Sequence, residues 1–216
     1  MRDLKELNVV VSGVGGQGQL FLSRIVGEIF MSRGIPAYIA ETHGLSQRGG
    51  SVIVHIRIGR SVKAPLIPMN RAHIMISLEI LEAARYIDYL MSNGVAIINR
   101  KFIRPPSTPK APHEDELINF IKSRIYRIYL LPASKTAVEM GMPISANIYM
   151  IGSLIKLLDY MTILSETYVD HLIKGLLPER GRDINMKIYE RGKKDLYEMI
   201  YGENLKDLEK TIFGEH

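Results

Sequence analysis

The sequence predicts an α/β fold, and three observations near its start predict it. Leu7–Gly13 (LNVVVSG) is an unbroken apolar run ending in glycine, which is how a strand buried on both faces of a parallel sheet reads. A glycine turn, GVGGQG, follows, and Leu20, Phe21, Ile25, Val26, Ile29 and Phe30 then recur at helical spacing up to a stop at Ser32-Arg33-Gly34. Ala37–Glu41 reads as a second strand, and a strand–helix–strand unit implies a right-handed crossover and parallel pairing. The expectation is a three-layer, mainly parallel, Rossmann-like open sheet with a helical C-terminal extension.

The remaining elements follow in order. Ser51–Gly59 alternates: Val52, Val54, Ile56 and Ile58 face one way, Ile53, His55 and Arg57 the other. It reads as a half-buried strand, with His55 and Arg57 at solvent or an interface. Ala72–Leu78 is a strand, Glu79–Met91 a helix and Gly94–Asn99 a further strand. RPPSTPKAP (104–112) is a loop, because its prolines exclude regular structure. His113–Arg124 is an amphipathic helix, and Tyr126–Leu131 a strand stopped by Pro132. Thereafter the chain reads as helical. A short helix ends at Gly141. Ser145–Met161 is apolar on most faces and is expected to pack centrally. A third helix starts at Ser165 as N-cap, and the last places Ile184, Ile188, Leu196 and Ile200 on one side. One domain is expected over 1–216, with an α/β core to about residue 143 and a helical extension from about 144.

Composition narrows the functions. The chain has 216 residues, 46% of them hydrophobic, and no cysteine. It therefore supplies neither disulfides nor cysteine ligands for iron–sulfur or zinc sites. The charged MRDLKELN start lacks a signal core. The longest apolar stretch, Ala146–Leu158, is interrupted by Asn147 and Lys156 and is too short to span a bilayer. A soluble cytoplasmic protein is expected. The net charge of +5 is concentrated between Arg100 and Arg127, opposed there by Glu114, Asp115 and Glu116. That stretch is either a solvated face or a face for an anionic ligand or partner. No nucleic-acid motif accompanies it. His73, His113 and His171 are read as ordinary structural residues, and the eleven methionines as core or interface filler.

Gly13, Gly15 and Gly18 match G-x-G-x-x-G between a strand and a helix, the setting in which a helix N-terminus meets a dinucleotide pyrophosphate. Glu41 stands where a ribose-binding acid would, so a stand-alone NAD-dependent oxidoreductase is one reading. A turn that binds nothing is another. Gly16 and Gln17 set the turn apart, because the Gln17 amide can both donate and accept at the helix start. Glu41 then runs into THGLSQRGG rather than a plain loop. In that loop the Arg48 guanidinium suits a carboxylate or phosphate, and Gly49 and Gly50 let a ligand or partner backbone approach. Ser46 and Gln47 add neutral donors, and Glu41 can hold Arg48. Arg48 either braces the loop or contacts a ligand or partner. His43 is read as structural rather than catalytic. Both loops follow consecutive parallel strands and are expected side by side at the carboxyl edge of the sheet.

GVGGQG and ETHGLSQRGGSVIVHIRIG together resemble the gamma domain of the 2-oxoacid:ferredoxin oxidoreductases, and HGLSQRGGSV resembles the indolepyruvate form of that family. SANIYMIGSL (145–154), with Asn147, resembles the family's asparagine-bearing helix, and INMKIYERGKKD (184–195) its last long helix. The resemblance covers nearly the whole chain. It implies a subunit of a larger enzyme that oxidatively decarboxylates a 2-oxoacid with coenzyme A, yielding acyl-CoA, carbon dioxide and reduced ferredoxin. Pyruvate or 2-oxoisovalerate forms are the related alternatives. The resemblance places thiamine diphosphate and the iron–sulfur clusters in an alpha subunit, with ferredoxin reached through the complex. No cofactor is expected on this chain alone and no catalytic residue is assigned to it. The site expected here is composite, near the coenzyme A or thiamine diphosphate entrance. It would draw on Gly13, Gly15, Gly16, Gln17, Gly18, Glu41, Ser46, Gln47, Arg48, Gly49, Gly50 and Asn147.

Overall fold

The computed structural model of the chain describes residues 4–44, 49–104 and 112–214. The strands are β1 (Leu7–Val14), β2 (Ala37–His43), β3 (Ser51–Ile58), β4 (Ala72–Ser77), β5 (Leu90–Asn99) and β6 (Arg127–Leu131). The α-helices are α1 (Gln19–Met31), α2 (Ile80–Tyr86), α3 (Glu114–Arg124), α4 (Ala133–Glu139), α5 (Ala146–Tyr160), α6 (Glu166–Leu176), α7 (Arg182–Ile200) and α8 (Lys206–Phe213). The strands form one sheet in the order β2-β3-β1-β4-β5-β6. β1, β4, β5 and β6 pair in parallel. The α/β expectation and its mainly parallel sheet hold.

The pairing of the first two strands differs from the expectation. α1 carries the chain past one position, and the strand that returns from β2 fills it. β3 therefore lies between β1 and β2 and is antiparallel to both. The layers on either side of the sheet also correct the half-buried reading of β3. Both of its faces are covered, with Ile53 2% and His55 3% exposed. The His55 ring packs edge-on to Tyr89 at 5.2 Å, and Arg57 pairs with Glu6 at 2.5 Å. Neither residue is at open solvent.

Two apolar layers sandwich the sheet. On one side Val9, Val11 and Ile74 pack with α1, α5 and α7. On the other Val10, Met75 and Ile98 pack with α2 and α3. α5 is central, as its apolar sequence predicts, and Tyr149, Ile151, Leu154 and Leu158 are completely buried. A Cβ at Gly152 would run into the Tyr189 carbonyl, and one at Gly192 into the Tyr149 carbonyl. α5 and α7 thus meet backbone to backbone. Tyr149 donates to Asp195 at 2.5 Å, Tyr189 donates to Asp170 of α6 at 2.9 Å, and Lys193 adds Asp170 at 2.7 Å and Glu190 at 3.1 Å.

Smaller differences have local causes. The helix expected over Glu79–Met91 ends at Tyr86, passes through a 3₁₀ turn at Ile87–Tyr89, and Leu90 already begins β5. The buried face of α7 is rotated from the expected one: Ile184 is 37% exposed, while Asn185 and Lys193 are buried. Ser165 precedes α6 but makes no side-chain cap; Asp159 accepts from the Glu166 amide instead, at 3.0 Å. α8 was not anticipated. In the basic stretch, Arg100 pairs with Glu114, Arg124 with Asp88 and Arg127 with Asp207. Residues 105–111 of the proline loop lie outside the described residues.

Candidate functional site

β1 and β2 both end at the carboxyl edge, and β3 starts there. The register sets Gly13 opposite Val52 and Val14 opposite Ser51, with Glu41 opposite Val54 on the far side of β3. The two loops therefore share one edge, but the start of β3 separates them. A backbone hydrogen bond from Gly15 N–H to the Gly50 carbonyl, 2.8 Å, ties the glycine turn to the exit of the second loop.

The glycines of the turn have separate reasons. Gly16 and Gly18 have φ of 98° and 88°, the left-handed region that costs other residues about 1–2 kcal/mol. A Cβ on Gly18 would also collide with the Asn147 amide. A Cβ on Gly13 would press on Gln19 Nε2 at 2.6 Å and Gln17 Oε1 at 2.7 Å. Those two amides brace the turn from inside. Gln17 Oε1 accepts from Val14 N–H at 2.8 Å, Gln17 Nε2 donates to the Leu78 carbonyl at 3.4 Å, and Gln19 Nε2 donates to the Val14 carbonyl at 2.9 Å. Gln17, whose amide was expected to donate and accept at the helix start, does both within the chain. Asn147 is 8% exposed, and its Oδ1 accepts from the Ile148 amide at 2.9 Å. Its Nδ2 faces Gly18 and has no acceptor among the described residues.

Three openings surround the turn. A cavity of about 400 Å³ lies between Gly15, Gly16, Gly18, Leu20, Glu41 and Val52. A smaller one, about 200 Å³, lies on the other side of Gly16, floored by Leu78, Asn99 and Ser134 and reached by Lys101. A third, about 510 Å³ and mostly apolar, runs from Asn147 past Phe21, Met142 and Ile144 to Pro178. The edge can thus offer an acidic pocket, a basic polar pocket and an apolar groove around one strand-to-helix turn.

The second loop is anchored by residues that the sequence reading passed over. Ser51 donates to Glu82 Oε2 and hydrogen-bonds the Tyr86 hydroxyl at 2.8 Å. Glu79, completely buried, accepts from the Glu82 and Ile103 amides at 2.8 and 2.9 Å. Burial pushes its carboxyl up and neighbouring Glu82 adds to the rise, while the backbone donors oppose it. The available signal was position: Leu78 and Glu79 directly follow a strand at the edge where the glycine turn sits. Of the residues singled out in the sequence, Gly13, Gly15, Gly16, Gln17, Gly18, Glu41, Gly49, Gly50 and Asn147 gather at this edge. Ser46, Gln47 and Arg48 lie outside the described residues, as does the His43 side chain.

Fold and edge together define an open α/β sheet with a strand–glycine turn–helix at its switch point, the usual ligand position in such sheets. The chain belongs to the pyruvate ferredoxin/flavodoxin oxidoreductase family, which it matches over residues 8–194. It is 40% identical over 190 residues to the indolepyruvate oxidoreductase subunit IorB of Archaeoglobus fulgidus, covering 86% of this chain and 93% of that one. The IorB subunit of Pyrococcus horikoshii is 33% identical over 201 residues, covering 91% and 98%. In fold it is similar to the crystal structure of the keto/oxoacid ferredoxin oxidoreductase gamma subunit from Geobacter sulfurreducens: TM-score 0.66, 18% identity, 89% of this chain and 99% of that one. The protein is a subunit of a 2-oxoacid ferredoxin oxidoreductase.

Proposed function

We propose that this chain is the small subunit of an aryl-pyruvate ferredoxin oxidoreductase, with indolepyruvate as its type substrate. Its carboxyl edge completes a composite site with a larger subunit. The observation that carries the reading is the Gly15–Gly50 hydrogen bond, which joins the GVGGQG turn and the SQRGG segment into one edge. The 2-oxoacid substrate preference is supported by the IorB relatives.

The iron–sulfur clusters do not fit this chain, which has no cysteine, and we assign them to the partner. Thiamine diphosphate, bound by that partner, would supply the carbanion chemistry that releases carbon dioxide. The part played by this chain is binding and orientation. Gly16 and Gly49, whose Cβ positions face open space, leave room for an approaching group. The N-terminus of α1 and the Asn147 Nδ2 beside it favour an anionic or carbonyl-bearing portion of coenzyme A. Arg48, in the loop between Gly44 and Gly49, is assigned the charged contact. Among the described residues no helix is long and apolar enough to cross a membrane, which accords with a cytoplasmic assembly.

The test is reconstitution. The purified chain should neither oxidise indolepyruvate with coenzyme A and an artificial acceptor nor show iron–sulfur absorbance. The co-purified complex should do both. Turnover by the chain alone overturns the assignment.

A further inference from the structure

The opposite, amino edge of the sheet carries a second cavity, about 350 Å³, lined by Glu6, Asn8, Arg57, Arg71, His73 and Thr211 among others. It lies at the other ends of β1, β3 and β4 and shares no lining residue with the carboxyl-edge openings. His73 is its informative member. The parallel pairing of β1 with β4 begins at Val9 and Ile74. One residue earlier the imidazole takes over, and His73 Nδ1 accepts from the Asn8 amide at 2.9 Å. That bond fixes the tautomer, because a nitrogen that accepts carries no proton. The proton therefore sits on Nε2. The residue is 6% exposed, and its Nε2–H has no acceptor among the described residues. His73 lines the cavity, and there its Nε2–H can donate to a group from outside the chain.

The surrounding charges decide the sign of that partner. Arg57 is largely occupied: it donates to Asn8 Oδ1 at 3.1 Å, to the Ala64 and Leu66 carbonyls at 2.8 and 3.2 Å, and to Glu6 at 2.5 Å. Glu6 also accepts from Asn8 Nδ2 at 2.7 Å. Burial works to raise the Glu6 carboxyl, but the bonds from Arg57 and Asn8 outweigh it and hold it below its usual range. Glu6 and Arg57 thus form a neutral pair. Arg71 is left as the surplus charge, with no carboxylate partner among the described residues. Thr211 of α8 closes the wall with a hydroxyl that donates to the Asp207 carbonyl at 3.0 Å and lies 3.5 Å from Asn93 Nδ2.

We propose that this amino-edge cavity binds a small oxyanion, a phosphate or a carboxylate, between the His73 Nε2–H and the Arg71 guanidinium. Such a ligand joins β4 to α8 and occupies a site separate from the one assigned to the oxidoreductase reaction. His73 remains a neutral donor through the physiological range, because burial keeps its imidazole well below the ordinary value. The anion is held without a proton being taken up.

The probes are inorganic phosphate and acetate, titrated into the full chain at constant ionic strength against chloride. Binding is read from the His73 imidazole signals in ¹H–¹⁵N spectra and from the melting temperature. At least one anion should saturate, shift the His73 Nε2–H resonance and raise the melting temperature. Saturation by phosphate but not acetate assigns the site to phosphate esters, and the reverse to carboxylates. Arg71→Gln, an exposed change that leaves the fold intact, should weaken binding by roughly tenfold or more, as loss of a charge-assisted contact does. His73→Phe should abolish it. A His73 signal unmoved by either anion overturns the proposal, and so does binding unchanged in Arg71→Gln, which marks non-specific screening.

Discussion

Glycine does opposite work in two regions of this molecule. At the carboxyl edge, Gly16 and Gly49 face open space and have φ of 98° and 73°; the place of the missing Cβ stays open. Between α5 and α7, Gly152 and Gly192 face each other's helix backbone, and the missing Cβ is replaced by the chain itself. One region is emptied by glycine and the other is filled because of it. Substitutions at the helix pair should therefore cost stability, while substitutions at the edge should cost mainly function.

The largest effect is expected at the helix pair. Gly192→Val must push the Tyr149 carbonyl away in a fully packed layer, and should destabilise by about 3 kcal/mol or more. Urea unfolding of the chain measures it; a loss under about 1 kcal/mol would mean that α5 and α7 can part freely, and the contrast fails.

The next effect belongs to neither region and serves as a reference. The imidazole of His73 is pushed down from 6.5 to about 4 by burial, with Glu6 opposing. Between those values the unfolded chain binds a proton that the folded chain refuses. Stability is therefore full above about 6.5 and falls as pH drops toward 4, by something on the order of 2–3 kcal/mol. In His73→Gln the slope of stability against pH over that window should flatten.

At the edge, Gly18→Ala introduces a Cβ at φ 88° against Asn147. The expected stability loss is about 1–2 kcal/mol, with a larger fall in turnover of the assembled complex. A variant that lost stability to that extent and kept full turnover would place Gly18 with the packing glycines. The smallest effect is expected at the exposed Arg24–Glu28 pair, 3.9 Å apart. Arg24→Ala should stay within about 0.5 kcal/mol of the parent in thermal unfolding.

The sequence made the edge readable because its glycines come in a recognisable order between a strand and a helix. It left the helix pair unread for a physical reason. Gly152 and Gly192 lie 40 residues apart, and their meaning depends on a contact that no local pattern encodes. The insertion of β3 was hidden in the same way. Its alternation fits a half-buried strand, and only the tertiary packing of Ile53 with the α2 layer and of His55 against Tyr89 shows why they are covered as well. The anchoring of Ser51 by Glu82 and Tyr86 was unread because it depends on a contact more than 30 residues away, and the Glu79 carboxylate that holds the Glu82 amide looks like an ordinary helix cap, which it also is. Gln17 shows the converse. Its ability to donate and accept was legible, but the partners that the fold supplies, the Val14 amide and the Leu78 carbonyl, were not.

The central claim is that the carboxyl edge serves the assembled oxidoreductase rather than the stability of this chain. Arg48→Ala, measured in parallel by thermal unfolding of the chain and by turnover of the reconstituted complex, tests it most directly. Loss of a charge-assisted contact in a desolvated site costs on the order of 2–5 kcal/mol, so kcat/KM should fall roughly thirtyfold or more while the melting temperature stays put. Arg48→Lys should recover little, since an ammonium does not reproduce the planar fork. A lowered melting temperature with undiminished turnover would contradict the account and make Arg48 a brace for its own loop.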